Sequence, residues 1–158
     1  MDQLISLAKL VAIRLSARGE TVAVAESSAG GLISTALLSI PGASSYFIGA
    51  VNLYTASARA ALLDLDPTVR SATVPYAEMM ARAVRGRLAA TWGVGESGVT
   101  GPEPNRYGDQ MGHCVIAVIG PKSRNVIVQT KLDDRMANMR AFAHAALRLL
   151  ADQTGEEI

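Results

Sequence analysis

The stretch Glu26-Ser27-Ser28-Ala29-Gly30-Gly31 gathers a carboxylate, two adjacent hydroxyls and two glycines between apolar segments. Ser27 and Ser28 offer nucleophilic oxygens. Gly30 and Gly31 let backbone N–H groups approach a ligand closely, and a helix starting after them presents about half a positive charge at its N-terminus. The stretch suits an anion, a nucleophilic hydroxyl, or both. It also suits a purely structural purpose, because Ser caps helices and Gly turns corners. Two more polar stretches follow apolar runs: residues 54–59, opening on Tyr54 and closing on Arg59, and residues 97–113, opening on Ser97-Gly98. Arg135 falls in the first turn of a last helix, facing the positive end of its dipole. A residue set against a local preference points to function.

The elements that must hold these residues follow from hydrophobic spacing. Leu4, Ala8, Val11, Ala12 and Leu15 recur at three and four, which predicts an amphipathic helix over 3–18, ended by Gly19. A strand over 21–25 leads into the Ser/Gly turn and a helix to about residue 40, where Pro41-Gly42 turns the chain. A strand over 48–54, a short helix over 57–63 and a helix from Pro75 to residue 92, stopped by Gly93, come next. A strand over 94–99, a polar loop over 100–113 and an apolar strand over 114–119 follow. Gly120-Pro121 turns that strand into an antiparallel partner over 125–132. Asp133 or Asp134 caps a final helix with the stripe Met136, Met139, Ala143, Ala146, Leu147 and Leu150. The order αβαβααβββα predicts an α/β fold, a three-layer α/β/α sandwich with a mixed sheet. In such sheets ligands bind beyond the carboxyl ends of strands, so the three polar loops are expected near one another.

Composition narrows the function classes. A chain of 158 residues is read as one domain over 1–158, and at that size it needs no disulfide or metal to hold a core. Cys114 is the sole cysteine, as expected of a reducing, cytoplasmic setting. A net charge of +1 without a basic block argues against nucleic acid. No stretch approaches the ~18 uninterrupted apolar residues of a membrane span. His113 and Cys114 are adjacent, but a strand sends neighbours to opposite faces, so no metal site is expected. P-loop, GxGxxG and GxSxG patterns are absent.

Taken together, these stretches resemble the CinA C-terminal domain family, the nicotinamide-nucleotide amidohydrolases, over nearly the whole chain. Glu26-Ser27-Ser28-Ala29-Gly30-Gly31 is similar to that family's E-S-C-T-G-G, and Pro41-Gly42-Ala43-Ser44 with Phe47 matches the segment that follows. Tyr54-Thr55 resembles its Y-S. Ser97-Gly98-Val99-Thr100-Gly101-Pro102 resembles T-G-I-A-G-P, and Asp134-Arg135 with Arg140 resembles G-D-R and a downstream Arg. The resemblance implies hydrolysis of the carboxamide of nicotinamide mononucleotide or a related nucleotide, with ammonia released. It places the nucleophile at Ser27, the Tyr at Tyr54, a second hydroxyl at Ser97, and a ligand-facing Arg at Arg135. Glu26, Ser28, Gly30, Gly31 and Gly98 complete the implied substrate-binding set. It further implies no metal or cofactor and a homodimer or higher homo-oligomer.

Two departures bear on activity. The family pairs its Ser with a Lys five residues after the Tyr, and Arg59 stands there. A desolvated Lys can take a proton from Ser, whereas a guanidinium keeps its charge. General-base catalysis is worth roughly 10²–10⁴-fold, so with Arg59 in the Lys position at best a slow amidase is expected, with binding of an anionic ligand retained. Glu103-Pro104-Asn105 replaces loop glycines after A-G-P, which reshapes the far wall of the pocket. The alternatives are a catalytically impaired nucleotide- or anion-binding protein that kept the pocket, and a hydrolase of altered substrate in which Arg59 holds a carboxylate or phosphate.

Overall fold

A computed structural model describes residues 1–155. The chain runs α1 (Asp2–Arg18), β1 (Val22–Glu26), α2 (Leu32–Leu38), a short 3-10 turn (Ala43–Ser45), β2 (Phe47–Asn52), α3 (Ala56–Leu63) and α4 (Val74–Arg87). It continues through β3 (Trp92–Gly98), β4 (His113–Ile119), β5 (Ser123–Gln129) and α5 (Arg135–Thr154). The five strands form one sheet in the order β2-β1-β3-β4-β5. β1 lies parallel to β2 and β3, while β4 and β5 are antiparallel additions. The three-layer α/β/α architecture with a mixed sheet is thus present, with the hairpin where the Gly-Pro turn placed it. Among the described residues no helix is long and apolar enough to cross a membrane.

Side-chain alternation along the central strands divides the core in two. Val22 and Val24 of β1 and Trp92 and Val94 of β3 pack with α1, α2 and α5 around Leu15, Ile33, Phe142 and Leu147. Ala23 and Ala25 face the other way, toward Leu53, Leu63, Tyr76 and Met80 of the α3–α4 layer. The same alternation continues past the apolar positions, so the polar residues that end β1 and β3 are sorted between the two faces.

Gly93 does not stop a helix, as the sequence predicts; it lies inside β3. A Cβ at Gly93 would collide with the Ala81 carbonyl, and one at Gly95 with the Ala77 carbonyl. The two glycines let α4 settle directly on the sheet. The helix itself ends at Arg87, and Ala89, at φ 50°, turns the chain back into β3. Smaller shifts occur elsewhere. β2 ends at Asn52, which leaves Tyr54 in the turn before α3, and β5 begins and ends earlier than the apolar pattern suggests. Met136 is 44% exposed rather than part of the buried stripe of α5, where Asn138 and Phe142 are fully buried instead. Gly19 closes α1 in the left-handed conformation, as expected.

Candidate active site

The centre of the serine turn is a carboxylate from another strand. Glu96, on the face of β3 toward α2 and α5, is fully buried. Its Oε2 accepts the backbone N–H groups of Ser27 and Ala29, each at 2.9 Å. Its Oε1 accepts the Ser28 hydroxyl in a very short hydrogen bond and the Cys114 thiol at 3.3 Å. Four donors therefore converge on one side chain. A buried carboxylate is tolerated only when so satisfied, and this one fixes the turn as well as a hydroxyl. Burial, followed by the Glu96 carboxylate beside it, pushes the Cys114 thiol well above its ordinary value.

Beside this turn lies a cavity of about 200 Å³ lined by Ser28, Tyr54, Gly98, Thr100, Glu103 and Arg135, among others. Asp134 caps α5 by accepting from the Ala137 N–H at 2.5 Å, which sets Arg135 at the start of the helix. Arg135 then turns away from the helix axis. Its Nη1 donates to the Gly101 carbonyl at 2.5 Å and its Nη2 to the Tyr54 hydroxyl at 3.1 Å. The unfavourable placement at a helix N-terminus is thus offset by two acceptors, and further guanidinium N–H groups stay available. Asn138, one turn along, donates to the carbonyls of Thr100 at 3.0 Å and Leu132 at 3.1 Å and accepts from the Thr130 hydroxyl. Asn138 thereby ties the pocket loop to α5.

The residues singled out from sequence do not all meet here. Ser28, Tyr54, Gly98 and Arg135 line the cavity. Ser27 is 6% exposed and contributes its N–H to Glu96. Ser97 points to the opposite face of the sheet from Glu96, because neighbours along a strand alternate; its hydroxyl accepts the Ala72 N–H at 3.1 Å. Arg59 lines a different cavity: its guanidinium lies 5.3 Å from the Tyr76 ring, and Nη2 reaches the Tyr54 carbonyl at 3.4 Å.

Glu26 does not line this cavity. It is fully buried, and its carboxylate accepts the N–H groups of Ile33 and Ser34, at 3.1 and 3.0 Å, and the Ser34 hydroxyl at 2.6 Å. The N-terminus of α2, which the sequence offers to an anion, is already met by this carboxyl group. Desolvation raises the pKa of Glu26, with the Ser34 and Ile33 hydrogen bonds pulling the other way. Gly30 and Gly31 both take positive φ, at 64° and 94°, and make the turn. A Cβ at Gly30 would strike Met139 of α5. Their requirement is close packing and turn geometry.

Glu96 and Asn138 are the residues that sequence reasoning passed over. A signal existed for Glu96: a single carboxylate between Gly95 and Ser97, in a strand whose other side chains are small or apolar, has to be buried and satisfied. Asn138 carried a similar one, an amide interrupting the apolar spacing of α5.

The sequence profile of the CinA C-terminal domain matches residues 4–154. A CinA-like protein of Anaeromyxobacter sp. (strain K) is 34% identical over 148 residues, which is 91% of this chain and 36% of that protein. A CinA-like protein of Prochlorococcus marinus (strain MIT 9313) is 39% identical over 120 residues, 73% of this chain and 28% of that protein. The chain thus spans about a third of the length of such curated relatives. Among solved structures, the competence/damage inducible protein CihA from Agrobacterium tumefaciens superposes with a TM-score of 0.90 at 23% identity, covering 97% of this chain and 96% of that one. A competence-damaged protein (CinA) superfamily member from Enterobacter cloacae gives 0.90 at 24% identity, covering 96% and 92%.

Proposed function

Because the chain belongs to the CinA C-terminal domain family, we propose that it is an amide hydrolase acting on the carboxamide of nicotinamide mononucleotide or a related nucleotide through a serine hydroxyl. The observation that carries this reading is the Ser28 hydroxyl, which donates to buried Glu96 at the wall of a polar cavity shared with Arg135 and Tyr54. A nucleophile held on a base is the arrangement that activated serines need. The serine oxygen attacks the amide carbon as its proton passes to Glu96. Glu96 then returns the proton to the departing nitrogen, ammonia leaves, and water repeats the cycle on the acyl-serine. Arg135 and the Tyr54 hydroxyl are donors lining the same cavity, suited to the charge that develops on the carbonyl oxygen.

Glu96 answers the difficulty posed by Arg59. A guanidinium cannot act as a base, and Arg59 is engaged with the Tyr76 ring and the Tyr54 carbonyl, but a carboxylate can take the proton in its place. The cavity is smaller than the roughly 300–1,000 Å³ of common ligand sites, so it suits the reacting amide and its ring, with the remainder of a nucleotide outside.

The position of Arg59 also favours a second reading, in which the protein binds a nucleotide or another anion without turnover. One pair of measurements separates the two. Ammonia release and calorimetric binding are followed on the same samples with a panel of nicotinamide nucleotides. Turnover that collapses in Ser28→Ala supports the hydrolase as proposed, and turnover that collapses in Ser27→Ala alone moves the nucleophile to Ser27; binding with no ammonia in the native protein supports the binding module. Neither binding nor ammonia with any nucleotide removes both.

A further inference from the structure

Two polar side chains of the serine cavity have no part in the chemistry assigned to Ser28, Glu96, Tyr54 and Arg135. Both come from the loop after β3. Thr100 is 4% exposed and lines the cavity. Its carbonyl accepts from Asn138, but its hydroxyl has no hydrogen-bond partner among the described residues. Nor is that oxygen one of the two atoms enclosed without a partner, which are Arg59 Nε and the Tyr76 hydroxyl. The little surface that Thr100 keeps therefore includes its hydroxyl, at the cavity wall. Glu103 lines the same cavity from an exposed rim, and its carboxylate makes neither a hydrogen bond nor an ion pair among the described residues.

The other polar side chains of the lining are committed. Arg135 can only donate, and the Tyr54 hydroxyl oxygen accepts from it. Ser28 donates to Glu96. Asn105 accepts the N–H groups of Tyr107 and Asp109, each at 3.0 Å, and donates to the Asp109 carboxylate at 2.9 Å. A primary amide brings one accepting oxygen and two N–H donors. Arg135 and Tyr54 suit the oxygen, so the nitrogen needs an acceptor, and the Thr100 hydroxyl is the buried one with that capacity unused. Glu103, farther out, sets a negative charge beside the place left for the ring. Neither side chain follows the pattern that this loop resembles, where Ala stands at the position of Thr100 and glycines follow the Pro.

We propose that Thr100 and Glu103 are specificity-determining residues of this cavity: the Thr100 hydroxyl accepts a carboxamide N–H, and Glu103 favours a positively charged ring. The preferred ligand is then an N1-substituted pyridinium carboxamide, whose ring nitrogen carries a fixed positive charge, over the neutral dihydropyridine carboxamide of the same size. The inference rests on the amide-hydrolase reading and assigns recognition, not turnover, to these two side chains. Their contributions differ in kind. A hydrogen bond at a buried wall is insensitive to salt, whereas an exposed carboxylate acts through a charge that salt screens.

The test is calorimetric titration of the full chain with three ligands: nicotinamide mononucleotide, its 3-acetylpyridine analogue, and its reduced dihydro form. The analogue replaces the amide NH2 by a methyl group and keeps the charge; the reduced form keeps the amide and loses the charge. Where an amide is turned over slowly, its KM from initial rates of ammonia release stands for Kd. The native chain should bind the amide about fivefold more tightly than the ketone, the worth of one hydrogen bond. Thr100→Val should bring that ratio to within about twofold with Tm unchanged or raised, since the hydroxyl loses no partner, and Thr100→Ser should keep the ratio. The oxidised form should bind about threefold more tightly than the reduced one, a preference that Glu103→Gln removes and about 1 M salt suppresses. An amide-to-ketone ratio that Thr100→Val leaves unchanged overturns the proposal, as does an oxidised-to-reduced ratio that Glu103→Gln leaves unchanged. So does the lack of saturable binding of all three ligands below about 10 mM. Ammonia release with both ratios unmoved keeps the hydrolase and removes this assignment. Both ratios moving as expected without any ammonia supports the assignment and removes the hydrolase.

Discussion

Glu26 and Glu96 occupy equivalent places, near the carboxyl ends of the parallel strands β1 and β3, on the same face of the sheet, and both are fully buried. Their partners differ. Glu26 accepts from α2, through Ile33 and Ser34, so its carboxyl group is the acceptor for that helix start. Glu96 accepts from the serine turn itself, through two amides, the Ser28 hydroxyl and the Cys114 thiol. One carboxylate holds a helix; the other holds a hydroxyl at a cavity wall. The difference shows that burial and hydrogen bonding alone do not tell the two carboxylates apart. What separates them is that one of the Glu96 donors, Ser28, also lines a cavity.

The largest expected effect separates the pair by activity. Glu96→Gln should lower ammonia release by about 10²–10⁴-fold, the worth of a general base, while Glu26→Gln, assayed per folded molecule, stays within about threefold of native. Equal losses in the two variants would dissolve the comparison. The second expectation is for stability. Either substitution replaces an acceptor of several hydrogen bonds, and Glu26→Gln should cost about 1–3 kcal/mol in urea unfolding, chiefly through α2. A neutral result would mean that Glu26 does not hold that helix.

The same residue gives a pH test whose sign is fixed by its environment. Burial raises the pKa of Glu26, so the folded state binds its proton more tightly than the unfolded chain does. Its contribution to stability is then present below the ordinary value of 4.5 and declines as pH rises through the raised folded value. Glu26→Gln lacks that slope. The stability gap between native and variant should therefore narrow as pH rises from about 4.5 toward neutrality. A gap that widens over this range would reverse the assignment. A smaller effect concerns Cys114. It is fully buried with its thiol pushed up, so thiol-directed reagents should modify it only after denaturation. The smallest is Arg59→Lys, which should change ammonia release by less than about threefold, because the side chain lines the other cavity.

Much of this fold is legible in the sequence. Periodicity placed every strand and helix in the right order, and the Gly120-Pro121 turn located the hairpin. Errors fell where tertiary packing overrides local preference. Gly93 reads as a helix stop, yet it is a strand residue cleared of a side chain so that α4 can dock. The serine turn was recognisable from Ser27, Ser28 and the glycines, and Arg135 from its placement against the helix dipole. Alternation in β3 decided the rest: Ser97 and Glu96 are neighbours in sequence, and only register shows that the carboxylate, not the hydroxyl, joins the serine turn. Arg59 follows Tyr54 closely in sequence, but its Tyr76 contact draws it into a separate cavity, which no spacing reveals.

The most direct test is ammonia release from nicotinamide mononucleotide by the native chain and by Ser28→Ala at equal folded concentration. The account predicts a measurable native rate that falls by about 10²-fold or more in Ser28→Ala, with Tm close to native. A Ser28→Ala protein that releases ammonia at the native rate would contradict it.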